Sequence, residues 1–139
     1  MEARFELFDH TADVGIRVFA PSMAGLIAPA GEGLYTVIGE LAPGGDRSRL
    51  RLEHTGDDPA VLLRDYLAEL LFQFEDQQRI VVSTDVRTFD EGRLVVEAQL
   101  ATVDESVSLY EREVKAITYH ALEIAKLEDG FQATIIVDI

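Results

Sequence analysis

The sequence contains no cysteine, which excludes disulfides, thiolate metal sites and cysteine nucleophiles. No apolar run approaches the roughly 20 residues that a membrane-spanning helix needs. The first residues do not combine a basic start with an apolar run, so no secretory signal is expected. Gly-rich phosphate loops, nucleophile elbows and His-Glu zinc helices are missing, and three histidines without cysteine do not suit structural zinc. We therefore expect a cytoplasmic protein with no membrane partner.

Cations are also scarce, because 12 Lys and Arg stand against 26 Asp and Glu, for a formal net charge of −14. Nucleic-acid phosphates are bound by clustered Lys and Arg, so the negative net charge argues against direct nucleic-acid binding. A hydrophobic fraction of 47% argues against disorder. A length of 139 residues is close to the usual size of one domain, and we expect a single domain over residues 1–139.

The apolar pattern predicts six or seven strands and two helices. Strands are predicted over 5–8, 14–20, around 50–52, 80–89, 94–101, within 114–126 and over 131–137. Hairpin turns are predicted at 90–92 and 128–130, a loop at 42–46 and an acidic connector over 102–111. Strands that cluster as hairpins are typical of an α+β fold, so we expect one mainly antiparallel sheet packed against two helices.

The two predicted helices differ in regularity. Between residues 22 and 38, Pro29 and three glycines interrupt the helical spacing. Proline inside a helix removes a hydrogen bond and costs about 3 kcal/mol, so a kinked or broken helix is expected. The second predicted helix follows two acidic residues, Asp57 and Asp58, and has Pro59 in its first turn. Its apolar residues recur every three or four positions through Phe74, which predicts about five turns with one face in the core.

A polar insert, Asp9-His10-Thr11-Ala12-Asp13, separates the first two predicted strands. Its two carboxylates, with an imidazole and a hydroxyl between them, could converge on a hard divalent cation if the chain turns tightly. Asp and Thr are also ordinary turn residues that hydrogen-bond their own backbone. A plain turn is therefore the alternative.

A second polar motif, Lys115-Ala116-Ile117-Thr118-Tyr119-His120, lies in the predicted extended run 114–126. Alternation would place Lys115 on the face of Ile117 and Tyr119, and His120 on the other. A lone His in a strand is commonly structural and a lone Lys is commonly solvated, so neither is specific alone.

The third motif is the end of the sequence, Val137-Asp138-Ile139. If the chain stops there, the α-carboxylate of Ile139 and the side chain of Asp138 provide adjacent oxygen donors of the kind that hard cations prefer. A charged exit from the sheet is the alternative.

Together these motifs resemble the archease family. The segment FDHTADVG at 8–15 is similar to the family's N-terminal signature, VKAITYH at 114–120 to its second block, and VDI at 137–139 to its C-terminal block. The Leu-rich helix over 62–74, leading into a hairpin, lies where the family has the same element. The match covers essentially the whole chain, and it is poorest over 23–39, where the family usually has a more regular helix.

The resemblance implies an accessory protein and not an independent catalyst. Archeases assist the RtcB-type tRNA-splicing RNA ligase, promoting the GTP- and metal-dependent guanylylation of its histidine and its repeated turnover. The family's metal-binding positions fall on Asp13, Asp138 and the carboxylate of Ile139, which implies Ca²⁺, Mg²⁺ or Mn²⁺ as cofactor, and Lys115 is implied to be functionally important. Supporting roles in activation or partner contact are expected for three further residues, Asp9, His10 and His120.

Two other classes of function stay open from the residues themselves. One is a chaperone-like module whose acidic surface binds basic, nucleic-acid-processing proteins; scattered acidic substitutions would then matter as much as those in the motifs. The other is a metal-dependent phosphoester hydrolase. It is disfavoured because His10 and His120 are the only candidate bases and no separate nucleophile is found.

Overall fold

The chain alternates β-hairpins with two helices in a computed structural model that describes residues 1–139. The α+β class and the mainly antiparallel pairing predicted above are confirmed. No helix is both long enough and apolar enough to cross a membrane. The elements are β1 (Arg4–His10), β2 (Asp13–Ala20), α1 (Ile27–Ile38), β3 (Gly39–Glu40), β4 (Pro43–Thr55), α2 (Pro59–Gln77), β5 (Arg79–Phe89), β6 (Arg93–Val103), β7 (Leu109–Tyr110), β8 (Ala116–Ile117), β9 (Glu123–Lys126) and β10 (Phe131–Asp138).

The strands divide between two main sheets, where the sequence predicted one. The first sheet has the order β1-β2-β10-β8, with β9 also paired to β10, and the second has the order β4-β6-β5. The short strands β3 and β7 form a separate pair. Helix α1 contacts β1 and β2, whereas α2 contacts β4, β5 and β6. The helices bring the apolar faces of both sheets into one core cluster of 26 buried residues.

The core follows the predicted alternation. Val14, Ile16 and Val18 of β2 are buried, and they alternate with residues that face away from the helices. The apolar stripe of α2 is buried as predicted, including Leu63 and Leu67 at 0% exposure. No polar or charged residue is fully buried. Burial of apolar surface is therefore the main stabilising contribution of this interior.

Helix α1 is not broken at Pro29, and that prediction was wrong. A 3₁₀ turn over Ala24–Leu26 precedes the helix, which begins at Ile27. Pro29 consequently lies in the first helical turn, where a backbone N–H has no intrahelical partner to lose. Ser22 lies before the 3₁₀ turn, and its Oγ accepts a hydrogen bond from the Gly25 N–H at 3.1 Å.

Two segments depart from the predicted pattern. Most of the loop expected at 42–46 lies within β4, where a register irregularity between Pro43 and Arg47 accommodates it. The run expected to be extended over 114–126 contains only the short strands β8 and β9. Between them the chain turns at Ala121, whose φ is 52°. The alternation from Lys115 to His120 is therefore interrupted after β8.

Gly39 lets the backbone of β3 approach that of β7. A Cβ atom at Gly39 would collide with the carbonyl oxygen of Leu109, a backbone atom that cannot rotate away. We predict that Gly39→Ala lowers the free energy of unfolding by about 2 kcal/mol, the size of an overpacking penalty. Urea denaturation measures this change. The matched control is Gly45→Ala, because a Cβ at Gly45 has nothing within 4 Å; equal losses in both variants would contradict the prediction.

Candidate functional site

Three of the predicted site residues lie in one row across the first sheet. Asp13 of β2 is the register partner of His10 in β1 and of Asp138 in β10. Directly paired residues in antiparallel strands present their side chains on the same face, with Cβ atoms about 5 Å apart. Asp13 and Asp138, which are far apart in sequence, are therefore neighbours on the sheet face opposite the helices. We call His10, Asp13 and Asp138 the acidic row.

The position of Asp13 beside Asp138 depends on the pairing of β2 with β1 on one side and with β10 on the other. The hairpin between β1 and β2 is closed by Thr11 and Ala12, and Ala12 adopts a left-handed conformation with φ of 62°. The next row inward pairs the buried residues Val14 and Val137. Because side chains alternate along a strand, burial of that apolar pair places the adjacent aspartates on the opposite face.

Histidine side chains lie at the β1 end of the row. The Nδ1 atom of His10 is 3.9 Å from Oδ2 of Asp13, and it is buried without a hydrogen-bond partner. The rings of His10 and His120 have centroids 5.1 Å apart and are tilted by 57°. The turn after β8 thus brings His120 to the row from a distant part of the sequence.

Asp9 does not join the acidic row. Its register partner is Val14, so alternation places it on the other sheet face from Asp13. The convergence expected of the two carboxylates in the 9–13 insert does not occur. The second carboxylate comes from the C-terminal strand in the form of Asp138.

Lys115 and Ile139 adjoin the row through the backbone of Asp138. The Lys115 N–H donates a hydrogen bond to the Asp138 carbonyl oxygen at 2.7 Å. Lys115 itself is exposed, and both Asp138 and Ile139 are half-buried. Six of the seven residues singled out in the sequence therefore meet at one end of the first sheet, and Asp9 lies on its reverse side.

Arg64 of α2 is a residue that the sequence analysis missed. Its Nε donates to the Ile117 carbonyl oxygen at 2.9 Å, and its guanidinium lies 4.4 Å from the centre of the Tyr119 ring. It also pairs with Asp65 at 2.9 Å. In the sequence Arg64 and Asp65 form a polar pair between Leu63 and Tyr66, and no local signal distinguishes Arg64 from a solvated helix face.

Thr118 adds a second anchor for the same segment. Its N–H and its Oγ1 both donate to the Ile136 carbonyl oxygen, at 3.0 and 2.9 Å. The Thr118 Oγ1 also accepts a hydrogen bond from the His120 N–H at 3.2 Å. The segment that carries Lys115 and His120 is therefore attached to both β10 and α2.

The donor set of the row suits a hard cation and not zinc. No group of three or more His, Asp or Glu side chains is arranged to bind a metal ion. Mg²⁺ typically takes one or two carboxylates and keeps several waters. The side chains of Asp13 and Asp138 meet that requirement, and an α-carboxylate on Ile139 would add a third anionic donor.

A separate groove lies on the exposed face of the second sheet. It has a volume of about 510 Å³ and is lined mainly by polar residues of β4, β5 and β6. Its charged side chains largely pair with one another, as Arg87 and Arg51 both do with Glu97 at 2.9 and 3.4 Å. The Arg87 guanidinium lowers the pKa of the exposed Glu97 carboxyl. The lining keeps one positive charge in excess, because Arg49, Arg51 and Arg87 stand against Asp85 and Glu97. We take the acidic row, where the sequence motifs come together, as the candidate site.

The fold and the row define a small α+β domain with an acidic site where its second and last strands pair. Residues 5–139 match the model of the archease protein family, and the chain belongs to that family. It is 33% identical to the archease of Methanosarcina barkeri, over 98% of this chain and 96% of that one. It is 32% identical to the archease of Thermococcus gammatolerans, over 91% and 92% of the two chains.

Solved structures have the same fold. Protein 1598 of Methanobacterium thermoautotrophicum superposes with a TM-score of 0.72 and 26% identity, over 97% of this chain and 98% of that one. The crystal structure of an archease from Thermotoga maritima, described as a possible chaperone, also gives a TM-score of 0.72, over 96% of each chain. Its 15% identity supports the fold alone.

We predict that Arg64→Met loosens the segment between β8 and β9. The substitution leaves the Ile117 carbonyl without its side-chain donor and removes the cation from the Tyr119 ring. The loss of one part-buried hydrogen bond should lower the free energy of unfolding by about 1–2 kcal/mol. Hydrogen exchange of residues 116–121 should accelerate, while exchange within β4 to β6 should not. Uniform acceleration throughout the chain would contradict a local role.

Proposed function

We propose that this chain activates an RtcB-type tRNA-splicing RNA ligase, promoting guanylylation of the ligase histidine and its repeated turnover. The observation that carries the proposal is the register pairing of Asp13 with Asp138, which joins the N-terminal and C-terminal family motifs at one site. The chain would act as an accessory protein without catalysis of its own. The partner, being basic, would bind the RNA that a charge of −14 repels.

The proposed site binds a divalent cation, Ca²⁺, Mg²⁺ or Mn²⁺, through Asp13, Asp138 and the α-carboxylate of Ile139. Ile139 contributes only in a chain that ends at that residue. The two aspartates repel each other when both are ionised, and a cation removes that repulsion. When bound, such a cation would offset negative charge on the phosphates of the nucleotide used by the ligase.

Lys115 and the two histidines supply the remaining functional groups of the site. Lys115 is exposed beside Asp138, so its ammonium group could reach a phosphate oxygen on the partner or neutralise part of the carboxylate charge. His10 lies next to Asp13, and its buried Nδ1 has no hydrogen-bond partner. We propose that this end of the sheet docks at the mouth of the ligase active site, with His120 and Asp9 at the rim of the contact.

Activation should depend on individual side chains at this site. We predict that Asp13→Asn, Asp138→Asn and Lys115→Met each reduce stimulation of ligase guanylylation at least tenfold, because each removes a charge but little packing. Single-turnover guanylylation of the ligase from the same organism is the measurement. Asp129→Asn is the matched control, since Asp129 is exposed in the turn that precedes the opposite end of β10.

The same assay separates the proposed function from the two alternatives. If all three folded variants stimulate like the unmodified chain, the site assignment fails. If Asp129→Asn and other scattered acidic substitutions are as harmful as those in the row, a charge-driven chaperone is favoured. Sustained hydrolysis of phosphoesters by the chain alone, with Mg²⁺ or Mn²⁺, would overturn the accessory role.

Metal binding can be tested apart from the ligase. We predict that isothermal titration with Ca²⁺ or Mn²⁺ detects one site, and that Asp138→Asn weakens it at least tenfold because an anionic ligand becomes neutral. Adding a short C-terminal tag after Ile139 should also weaken binding, since it converts the α-carboxylate into an amide. Unchanged affinity in the tagged chain would remove Ile139 from the ligand set and leave the two aspartates.

A further inference from the structure

Exposed apolar side chains are concentrated in one segment, residues 104–114, which we call the strap. Val107, Leu109 and Tyr110 are 64%, 60% and 50% exposed. Isolated apolar residues on a surface need no explanation, but a contiguous group is typical of an interaction site. The sequence pattern had indicated only a polar, acidic connector here.

The strap is not a loose loop, because backbone hydrogen bonds attach it near both ends. The Asp104 N–H donates to the Ala42 carbonyl oxygen at 2.8 Å. Further along, the N–H groups of Glu111 and Arg112 both donate to the Ile38 carbonyl oxygen, at 2.8 and 3.1 Å. Its apolar side chains are therefore presented to solvent by an ordered backbone. Such preorganisation lowers the entropic cost of binding a partner.

A small cavity lies where the strap meets the ends of the two helices. Its volume is about 150 Å³. Its apolar wall is formed by Ile38, Leu71, Phe74 and Val114, and its charged lining residues, Glu75, Glu113 and Arg112, leave one negative charge in excess. A cavity of this composition can receive an apolar side chain that has basic neighbours. Anchors that fill such pockets commonly dominate the binding energy of an interface.

The charge around the strap selects the kind of partner. Four of its residues are acidic and only Arg112 is basic; the acids are Asp104, Glu105, Glu111 and Glu113. The whole chain carries a formal net charge of −14, which adds to the negative potential around the strap. Acidic partners and nucleic acids are repelled by this surface, whereas a protein surface rich in Lys and Arg is attracted.

The strap is also continuous with the proposed site, because Lys115 follows its last residue and is hydrogen-bonded to Asp138. A partner that reaches the acidic row from this side would meet the strap. We infer that the strap is a docking surface for a basic protein partner, which inserts an apolar side chain beside Phe74 and Val114. This inference rests on the proposed function, under which the partner is the RNA ligase.

The test separates docking from activation. We predict that the double variant Val107→Ser, Leu109→Ser weakens binding to the ligase of the same organism at least tenfold in biolayer interferometry. Both side chains are exposed, so the fold should be unaffected. At saturating concentration the double variant should stimulate guanylylation like the unmodified chain. Asp138→Asn should show the reverse, with binding retained and stimulation lost.

Phe72→Ser is the matched control. Phe72 is 56% exposed on α2, and at 100° per residue its side chain points away from Phe74, which contacts Tyr110. We expect this variant to bind normally. Equal binding by the double variant and the unmodified chain would overturn the strap inference and leave the proposed function standing. Absence of any binding or stimulation by the unmodified chain would overturn the proposed function, and the strap inference with it.

Other occupants of the strap give distinct outcomes. Sedimentation of the chain alone tests self-association: a dimer that the double variant abolishes would assign the strap to a second copy and overturn docking of a basic partner.

Salt dependence tests the charge argument. Binding to the ligase should weaken as ionic strength rises from about 0.05 to 0.3 M, since the Debye length shrinks over that range. Binding that is insensitive to salt would overturn selection by charge.

Discussion

The pairing of β2 with β10 is the constraint on which the rest of this molecule depends. It joins the second strand of the chain to the last over eight residue pairs, from Phe131 with Ala20 to Asp138 with Asp13. Its inward-facing residues form the centre of the first sheet, and they pack against α1. Its outward-facing residues at one end form the acidic row. Stability and the proposed site therefore share one set of backbone hydrogen bonds.

Charge is distributed unevenly around this framework. On the second sheet, arginines and carboxylates face each other across strands, as Arg93 and Glu53 do at 2.7 Å. Such exposed pairs contribute little to stability, with a typical value of about 0–1 kcal/mol. At the acidic row the two aspartates have no arginine or lysine partner within ion-pairing distance, and the His10 Nδ1 lies 3.9 Å from the Asp13 carboxylate. Unbalanced charge, more than total charge, distinguishes the proposed site.

The sequence predicted those parts of the fold that depend on local periodicity. The amphipathic α2, the hairpin turns at 90–92 and 128–130 and the strand over 131–137 all follow from local sequence pattern, and all are confirmed. The error at Pro29 arose because the start of α1 depends on a preceding 3₁₀ turn, which periodicity does not mark. Division into two sheets could not be predicted, since partner choice between strands depends on how the helices pack.

For the site, the sequence identified the motifs but not the register that arranges their side chains. Three motifs carried the family resemblance, and the structure brings them together, but no pattern within one motif shows that Asp13 faces Asp138 while Asp9 does not. The difference between Asp13 and Asp9 is decided by the register of the β1–β2 and β2–β10 pairs. Arg64 and the strap were missed for the opposite reason. Arg64 is held by a contact with the remote backbone of Ile117, and the strap by hydrogen bonds to Ile38, which local sequence does not show. The exposure of the apolar side chains of the strap likewise depends on the fold.

The β2–β10 pairing also has a consequence for biosynthesis. Asp13 leaves the ribosome 125 residues before its partner Asp138. A chain that has not yet reached β10 contains the β1–β2 hairpin segment and both helix segments, but it lacks the strand that completes the row. Closing a loop over so long a separation has an entropic cost, and non-local contacts of this kind slow folding. Fragments that end before β10 would lack the complete site, so the presence of the site reports that β10 has been made and has paired with β2.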